Sequence, residues 1–530
     1  MRKFSSYGPL NTKVHYYAPR EELISGVYSQ LVGDSPEEGG HYITVWAPRQ
    51  TGKSWIMLQV LRRLAATPQF DALKLDLEHL KGETDTGAIV AAIAEDILRE
   101  LGHPSDVIDS LKKFQELFSR DVLDKPLILI LDEFDALCEE AINQLTSIFR
   151  NIYNRRQSES NKPAADRRYR LHSVALIGVR SVLGIENAKG SPFNVQRSLH
   201  IPNLSAAEVT GMFRWYEQES GQKIEASVID RVYEETQGQP GLTCWFGELL
   251  TETYNENRDK PITTANFEEA AAAAVKILPN NNILNIISKA SQEPYKHMVL
   301  ELFNTQRKIE FTYDNTRLNY LYMNGVIDRE KESRTEYTVI FSCPFVQKRL
   351  FNYFANELFH HMGQLYEPFE SIADTVTPTD LDIRNLVKRY QVYLKKNREW
   401  LLKDAPRRSD LRVYEAVFHF NFYTFLHNFL EDKGGQVYPE FPTGNGKIDI
   451  IIKYRDRVYA LELKSYRDRP AYDRALSQAA QYGRQLGLQQ VYLIFLVEYI
   501  DDTHRHTLET EYRPPEAGPR VTPIFIETDN

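Results

Sequence analysis

Between residues 41 and 180 the sequence alternates short apolar runs with amphipathic ones, and this alternation constrains the fold more than any other feature. "HYITVWAP", "ALKLDLE", "PLILILDEF" and "YRLHSVALIGV" read as strands; "KSWIMLQVLRRLAAT" and "TGAIVAAIAEDILREL" read as helices between them. Strands that alternate with helices imply crossover connections, and therefore a parallel sheet covered on both faces. At 530 residues the chain has room for more than this one unit. Two to four domains are expected from length.

The first strand runs into "APRQTGKS" (47–54) and a helix follows at once, which is the strand–loop–helix context of a phosphate-binding loop. A helix N-terminus offers unpaired N–H groups and the positive end of a dipole to phosphate. The segment Ala47, Pro48, Arg49, Gln50, Thr51, Gly52, Lys53 and Ser54 is the candidate ATP cradle. Lys53 would reach the outer phosphates, and Ser54 would ligate Mg²⁺. Ala47 stands where the first glycine of GxxxxGK[ST] usually sits; a methyl group is tolerated there if the loop entry is not left-handed. Downstream, "PLILILDEFDAL" ends an apolar strand in Asp132 and Glu133, at the carboxyl edge of the sheet where open α/β folds bind ligands. Asp132 suits the Mg²⁺ shell and Glu133 suits polarising the attacking water.

With these motifs, the first 350 or so residues resemble the AAA-like ATPases of the STAND and archaeal-ATPase kind. "YYAPREEL" resembles their lead-in to the nucleotide pocket, and "VALIGVR" resembles a core strand that ends in a sensor residue, here Arg180. "GQPGLTCWFGELL" resembles the turn of their helical lid, which implies that Pro240 approaches the nucleotide. The lid should open at "LSAAEV", where Ser205 and Glu208 have the spacing of a capping box. Two helices and the strand pair "GVIDRE" and "TEYTVI" then resemble a winged helix. The resemblance also implies a possible homo-oligomer through the ATPase domain.

Farther on, "GKIDIIIKYRDRVYALELKSY" (446–466) sets Asp449, Glu462 and Lys464 inside two apolar strands. Unpaired charge is costly to bury, so such residues call for a ligand. Asp449 and Glu462 can share a hard cation through oxygen ligands. Lys464, two residues from Glu462, projects from the same face of its strand. The set resembles the PD-(D/E)XK nuclease core, with Asp449 and Glu462-Leu463-Lys464 as its motif. Glu415, near the start of "YEAVFHFNFYTFLHNFLED", matches the helical carboxylate of many such nucleases. Gln478 and Tyr482, at i and i+4 in "RALSQAAQYGRQLG", match the QxxxY element of RecB-type members. The metal ligands implied there are Glu415, Asp449 and Glu462, with Mg²⁺ or Mn²⁺, beside Ser54 and Asp132 at the ATP site.

The expected fold is α/β: an AAA-like P-loop ATPase core at 1–204, a helical lid at 205–282, and a winged-helix-like domain at 283–355. A helical basic linker at 356–408 and a PD-(D/E)XK nuclease-like α/β domain at 409–530 complete it. The expected partner is nucleic acid, DNA first. A net charge of −9 confines any such contact to local basic surfaces, namely the stretch 388–408 and Arg467, Arg469, Arg474 and Arg484. The three cysteines are far apart, which fits a reducing compartment and gives no zinc site. No apolar run reaches membrane-span length, so a soluble, cytoplasmic protein without a membrane partner is expected.

Overall fold

The apolar runs of the first part form one five-stranded parallel sheet in the order β2-β3-β4-β1-β5. Its strands are β1 (Tyr42–Trp46), β2 (Asp71–Asp76), β3 (Leu127–Asp132), β4 (Leu171–Gly178) and β5 (Gln196–His200). This computed structural model describes residues 1–8, 10–35, 37–103, 108, 110–178, 196–303, 308–410, 412–442, 447–515 and 518–529. Every residue of β1, β3 and β4 is buried. Such unbroken apolar strands are what two covered faces require. On one face Ile24, Val27 and Leu31 of the helix Glu21–Val32 pack with Ile56, Met57, Val60 and Leu64 of the helix Lys53–Ala65. On the other, the helices Thr86–Leu101 and Glu139–Ser158 supply Ile89, Ile93, Ile97, Leu145, Phe149 and Ile152.

The chain folds into two compact units, Met1–Ala273 with Thr312–Gly325, and Ala274–Phe311 with Val326–Asn530. In the first, the helix Ala206–Ser220 starts with the expected reciprocal cap between Ser205 and Glu208. Where two helices and a strand pair were expected, three helices, Asn281–Ala290, Tyr295–Leu302 and Thr316–Met323, precede β6 (Ile327–Lys331), which runs antiparallel to β7 (Tyr337–Phe341). The third of these helices counts with the first unit.

The second unit is built on a mixed sheet, β12-β11-β10-β9-β8. Its strands are β8 (Gly435–Pro442), β9 (Lys447–Tyr454), β10 (Arg457–Ser465), β11 (Gln490–Val497) and β12 (Arg520–Glu527). β8, β9 and β10 run antiparallel, and β10, β11 and β12 run parallel. The helix Arg469–Gln485 forms the β10-to-β11 crossover and packs Tyr472, Leu476 and Ala479 on Val491, Leu493, Phe495 and Phe525. The helix Glu415–Glu431 is apolar nearly all round because it is buried nearly all round. Phe420 meets Phe351 of the helix Pro344–Phe359 at a ring separation of 4.8 Å.

The segment expected as a basic linker behaves differently. Its helix Ile383–Leu401 is part of this second core: Tyr390 is fully buried, packs on Phe422 at 4.6 Å, and donates to Asn421 Oδ1 at 2.9 Å. Its cations are mostly spent on seating it. Arg389 pairs with Glu370 and Asp374, Lys395 with Glu527, Lys396 with Glu367, and Arg398 with Asp529. Four of the cations expected to be available to DNA thus have intramolecular ion-pair partners: Arg389, Lys395, Lys396 and Arg398.

Candidate functional site

The phosphate loop is shaped by two left-handed residues, Gln50 (φ 58°) and Gly52 (φ 86°), and Gly52 caps the helix that begins at Lys53. Ala47 is not among the residues of positive φ, so its methyl group is accommodated, as the sequence argument required. Lys53 Nζ lies 2.9 Å from the carbonyl oxygens of both Ala47 and Pro48, and Thr51 Oγ1 donates to Pro48 O at 2.8 Å. Burial lowers the Lys53 pKa against the opposing pull of Glu133, Asp135 and Asp132. Ser54 is exposed at the first turn, which holds no acidic residue. A helix start with free N–H groups, a lysine and an exposed hydroxyl fits a phosphate and its cation.

The strand order puts β4 between β1 and β3, so the loop after β1 and the acids after β3 share one edge. Asp132 is 2 % exposed; its Oδ1 accepts from the Glu133 N–H at 3.1 Å and its Oδ2 lies 2.7 Å from Lys74 Nζ. Lys74 had no place in the sequence reading. Glu133 has a left-handed backbone (φ 52°), and burial, followed by Asp135, pushes its carboxyl above the ordinary range. Gly178, at the end of β4, leaves room for Asp135: a Cβ there would come within 2.5 Å of its Oδ1.

The turn before the helix Pro240–Glu248 meets the loop directly. Gln239 Nε2 donates to Arg49 O at 3.0 Å, and the Gly241 N–H donates to Gln50 O at 3.0 Å. Pro240 is the first residue of the helix Pro240–Glu248, where its missing N–H costs nothing. Arg20, also passed over, donates to Glu208 Oε1 at 3.2 Å and to Pro202 O at 2.9 Å, tying the lead-in segment to the start of the helix Ala206–Ser220. Arg180 lies outside the described residues.

The sequence matches the family model described as "AAA-like domain" over residues 6–255. Residues 6–255 are an AAA-like P-loop ATPase domain. Such a domain implies ATP with a divalent metal. Among curated proteins none matches the chain. Solved structures with partial likeness include the Walker-type ATPase of Pyrococcus abyssi, at 13 % identity and TM-score 0.40, over 66 % of this chain and 99 % of that one. The Aeropyrum pernix ORC1 protein in complex with DNA is 16 % identical at TM-score 0.33, over 63 % and 92 %. Cdc6p of Pyrobaculum aerophilum is 14 % identical at TM-score 0.36, over 67 % and 97 %.

The second cluster lies beyond the AAA-like domain. Asp449 of β9 is 1 % exposed, and its Oδ2 accepts from the Leu463 N–H of β10 at 2.7 Å while its Oδ1 is buried without a hydrogen-bond partner. Glu462 and Lys464 are both buried, with Nζ 2.9 Å from Oε1. Burial opposes the Lys464 charge, but Glu462 and Asp449 outweigh it and hold the ammonium above the usual lysine range. Glu415 starts its helix and accepts from Ser465 Oγ at 2.6 Å; burial raises its carboxyl pKa, while Lys464 pulls it down. Gln478 Nε2 donates to Tyr482 OH at 2.5 Å, and burial, then the Glu462 charge, raises the Tyr482 pKa.

All six residues singled out there thus belong to one electrostatic cluster or touch a member of it. Among the described residues no group of three His, Cys, Asp or Glu side chains is placed to hold a metal ion, so the expected ligand set Glu415, Asp449 and Glu462 is corrected: the three carboxylates do not converge as one such group. Among the described residues no helix is long and apolar enough to cross a membrane.

Proposed function

We propose that this chain couples ATP binding and hydrolysis to metal-dependent cleavage of nucleic acid phosphodiesters, DNA first. The observation that carries the second half is the buried, unpartnered Oδ1 of Asp449 beside Glu462 and Lys464. An orphaned carboxylate oxygen in a core costs stability and is kept where it has a ligand to meet.

In this reading Asp449 and Glu462 offer oxygens to a Mg²⁺ or Mn²⁺ ion, which supplies positive charge at the scissile phosphate and an activated water. Lys464, held protonated by its neighbours, neutralises phosphate charge rather than accepting a proton. Glu415 positions the cluster through Ser465, and Gln478 and Tyr482 orient the substrate backbone. At the ATPase site Lys53 leaves the carbonyls of Ala47 and Pro48 for phosphate, Ser54 and Asp132 face the cation, and Glu133 orients water. Arg180 and Pro240 complete the nucleotide site by resemblance. The lid turn, bonded to Arg49 and Gln50, is the element that would sense whether the loop is filled. Assembly through the AAA-like domain, a cytoplasmic setting and a role in prokaryotic defence or mobile-element control belong to the same proposal.

The test is cleavage of single- and double-stranded DNA and RNA by wild type, Lys53→Ala and Asp449→Ala, with Mg²⁺ or Mn²⁺ and with or without ATP. The reading expects Asp449→Ala to abolish cutting and Lys53→Ala to abolish only its ATP dependence. No cutting by wild type under any condition would favour a nucleotide-controlled switch whose second unit only binds nucleic acid or partners.

A further inference from the structure

The Lys74–Asp132 pair is the feature of the ATP site that the usual parts do not explain. In the register of the sheet Lys74 lies opposite Ile130, and Asp132 is two residues farther along β3 on the same face. That face is the one covered by the helix Lys53–Ala65, since Ile128 and Ile130 pack with Ile56, Met57 and Val60. The lysine therefore reaches diagonally across the strands, toward the loop side, to bring Nζ to 2.7 Å from Asp132 Oδ2. The pair is withdrawn from solvent, with side chains 17 % and 2 % exposed. The other oxygen of Asp132 is taken by the Glu133 N–H. One oxygen of the carboxylate therefore has a hydrogen-bond donor and the other an ion-pair partner.

Lys53 cannot take this role where it stands, because its Nζ is engaged by the Ala47 and Pro48 carbonyls. Lys74 thus provides the full positive charge in ion-pair contact with Asp132. A divalent cation placed on Asp132 would meet an ammonium within a few ångströms, in surroundings where like charges repel more strongly than in water. Ion and lysine cannot share that oxygen.

We propose that Lys74 is the resting counter-ion of Asp132, and that divalent metal must displace it to bind. This rests on the ATPase reading and deepens it: the nucleotide-free domain holds Mg²⁺ weakly, and the metal enters with the phosphates, which repay the displaced ammonium. Lys74 is on this account a positioning residue that acts through Asp132.

The test is direct Mn²⁺ binding to the nucleotide-free full-length chain by electron paramagnetic resonance. Asp449→Asn and Glu462→Gln are present throughout, so that the second cluster does not report. Lys74→Met should bind Mn²⁺ at least about tenfold tighter than Lys74, Lys74→Arg should match Lys74, and adding Asp132→Asn should erase the gain. Equal affinity for Lys74 and Lys74→Met overturns the proposal, as does a gain that survives Asp132→Asn. Lys74→Gln, which keeps a donor for Oδ2 without the charge, replaces Lys74→Met if circular dichroism shows the latter unfolded. A fluorescent ATP analogue titrated into the same proteins in EDTA reports on the nucleotide reading separately. Its failure to bind would sink that reading whatever Mn²⁺ does.

Discussion

Asp449 carries a stability cost that a ligand would offset, and the cost can be measured. Its Oδ1 is buried with no donor, so Asp449→Asn removes charge while keeping shape. In metal-free buffer the variant should be no less stable than wild type, and up to about 1 kcal/mol more so in urea denaturation, while losing cleavage. A loss of more than about 1 kcal/mol would mark the residue as structural. Glu415 gives a pH-dependent counterpart. Burial raises its pKa in the folded chain, so across the interval from the ordinary glutamate value up to the raised one the folded state holds more proton than the unfolded state. Its unfavourable contribution is absent in acid, grows as pH rises through that interval, and is complete above it. Glu415→Gln keeps an acceptor for Ser465 Oγ. It should be near neutral at about pH 4 and stabilising by on the order of 1 kcal/mol at about pH 8. An equal effect at both pH values would refute the assignment.

Among the elements, the turn before the helix Pro240–Glu248 is where backbone geometry most closely meets the phosphate loop. Gly238 has φ 67°, and a Cβ there would lie 1.9 Å from Leu204 O, the residue whose N–H bonds back to Gly238 O at 2.8 Å. Gly238→Ala should therefore cost more than about 2 kcal/mol and weaken ATP binding, because it moves Gln239 and Gly241 off Arg49 and Gln50. Binding unchanged at full stability loss would detach the lid from the loop. The turn was legible in "GQPG", as were β1, β3 and β4 in their apolar runs and the Gln478–Tyr482 contact in its i, i+4 spacing. What could not be read were pairings set by tertiary structure alone. Lys74 finds Asp132, Arg20 finds Glu208, and Lys395 and Arg398 find Glu527 and Asp529 at the end of the chain. The stretch 388–408 looked like a free basic face because its counter-charges are remote in sequence. Residues such as Tyr390, buried against Phe422, gave the only local hint that its helix belongs to a core.

At the scale of the whole molecule, two compact units, each with its own five-stranded sheet, predict two cooperative transitions. Their ligands should separate them. The cradle at residues 47–54 and the acids Asp132 and Glu133 lie in the first unit, and Asp449, Glu462 and Lys464 lie in the second. A ligand stabilises only the state that binds it, by about 2.7 kcal/mol at a hundred times its dissociation constant. For a unit of this size that corresponds to a shift of very roughly 5 °C. ATP with Mg²⁺ should raise one calorimetric transition by that order, and Lys53→Ala should abolish the shift without removing the transition. Mn²⁺ without nucleotide should raise the other transition, and Asp449→Asn should abolish that. The Lys74 counter-ion sharpens the contrast, because it predicts that Mn²⁺ alone leaves the first transition where it is, and that Lys74→Met lets it move. A single transition shifted equally by both ligands would mean that the units melt as one, and that coupling between the sites is already present in the resting chain.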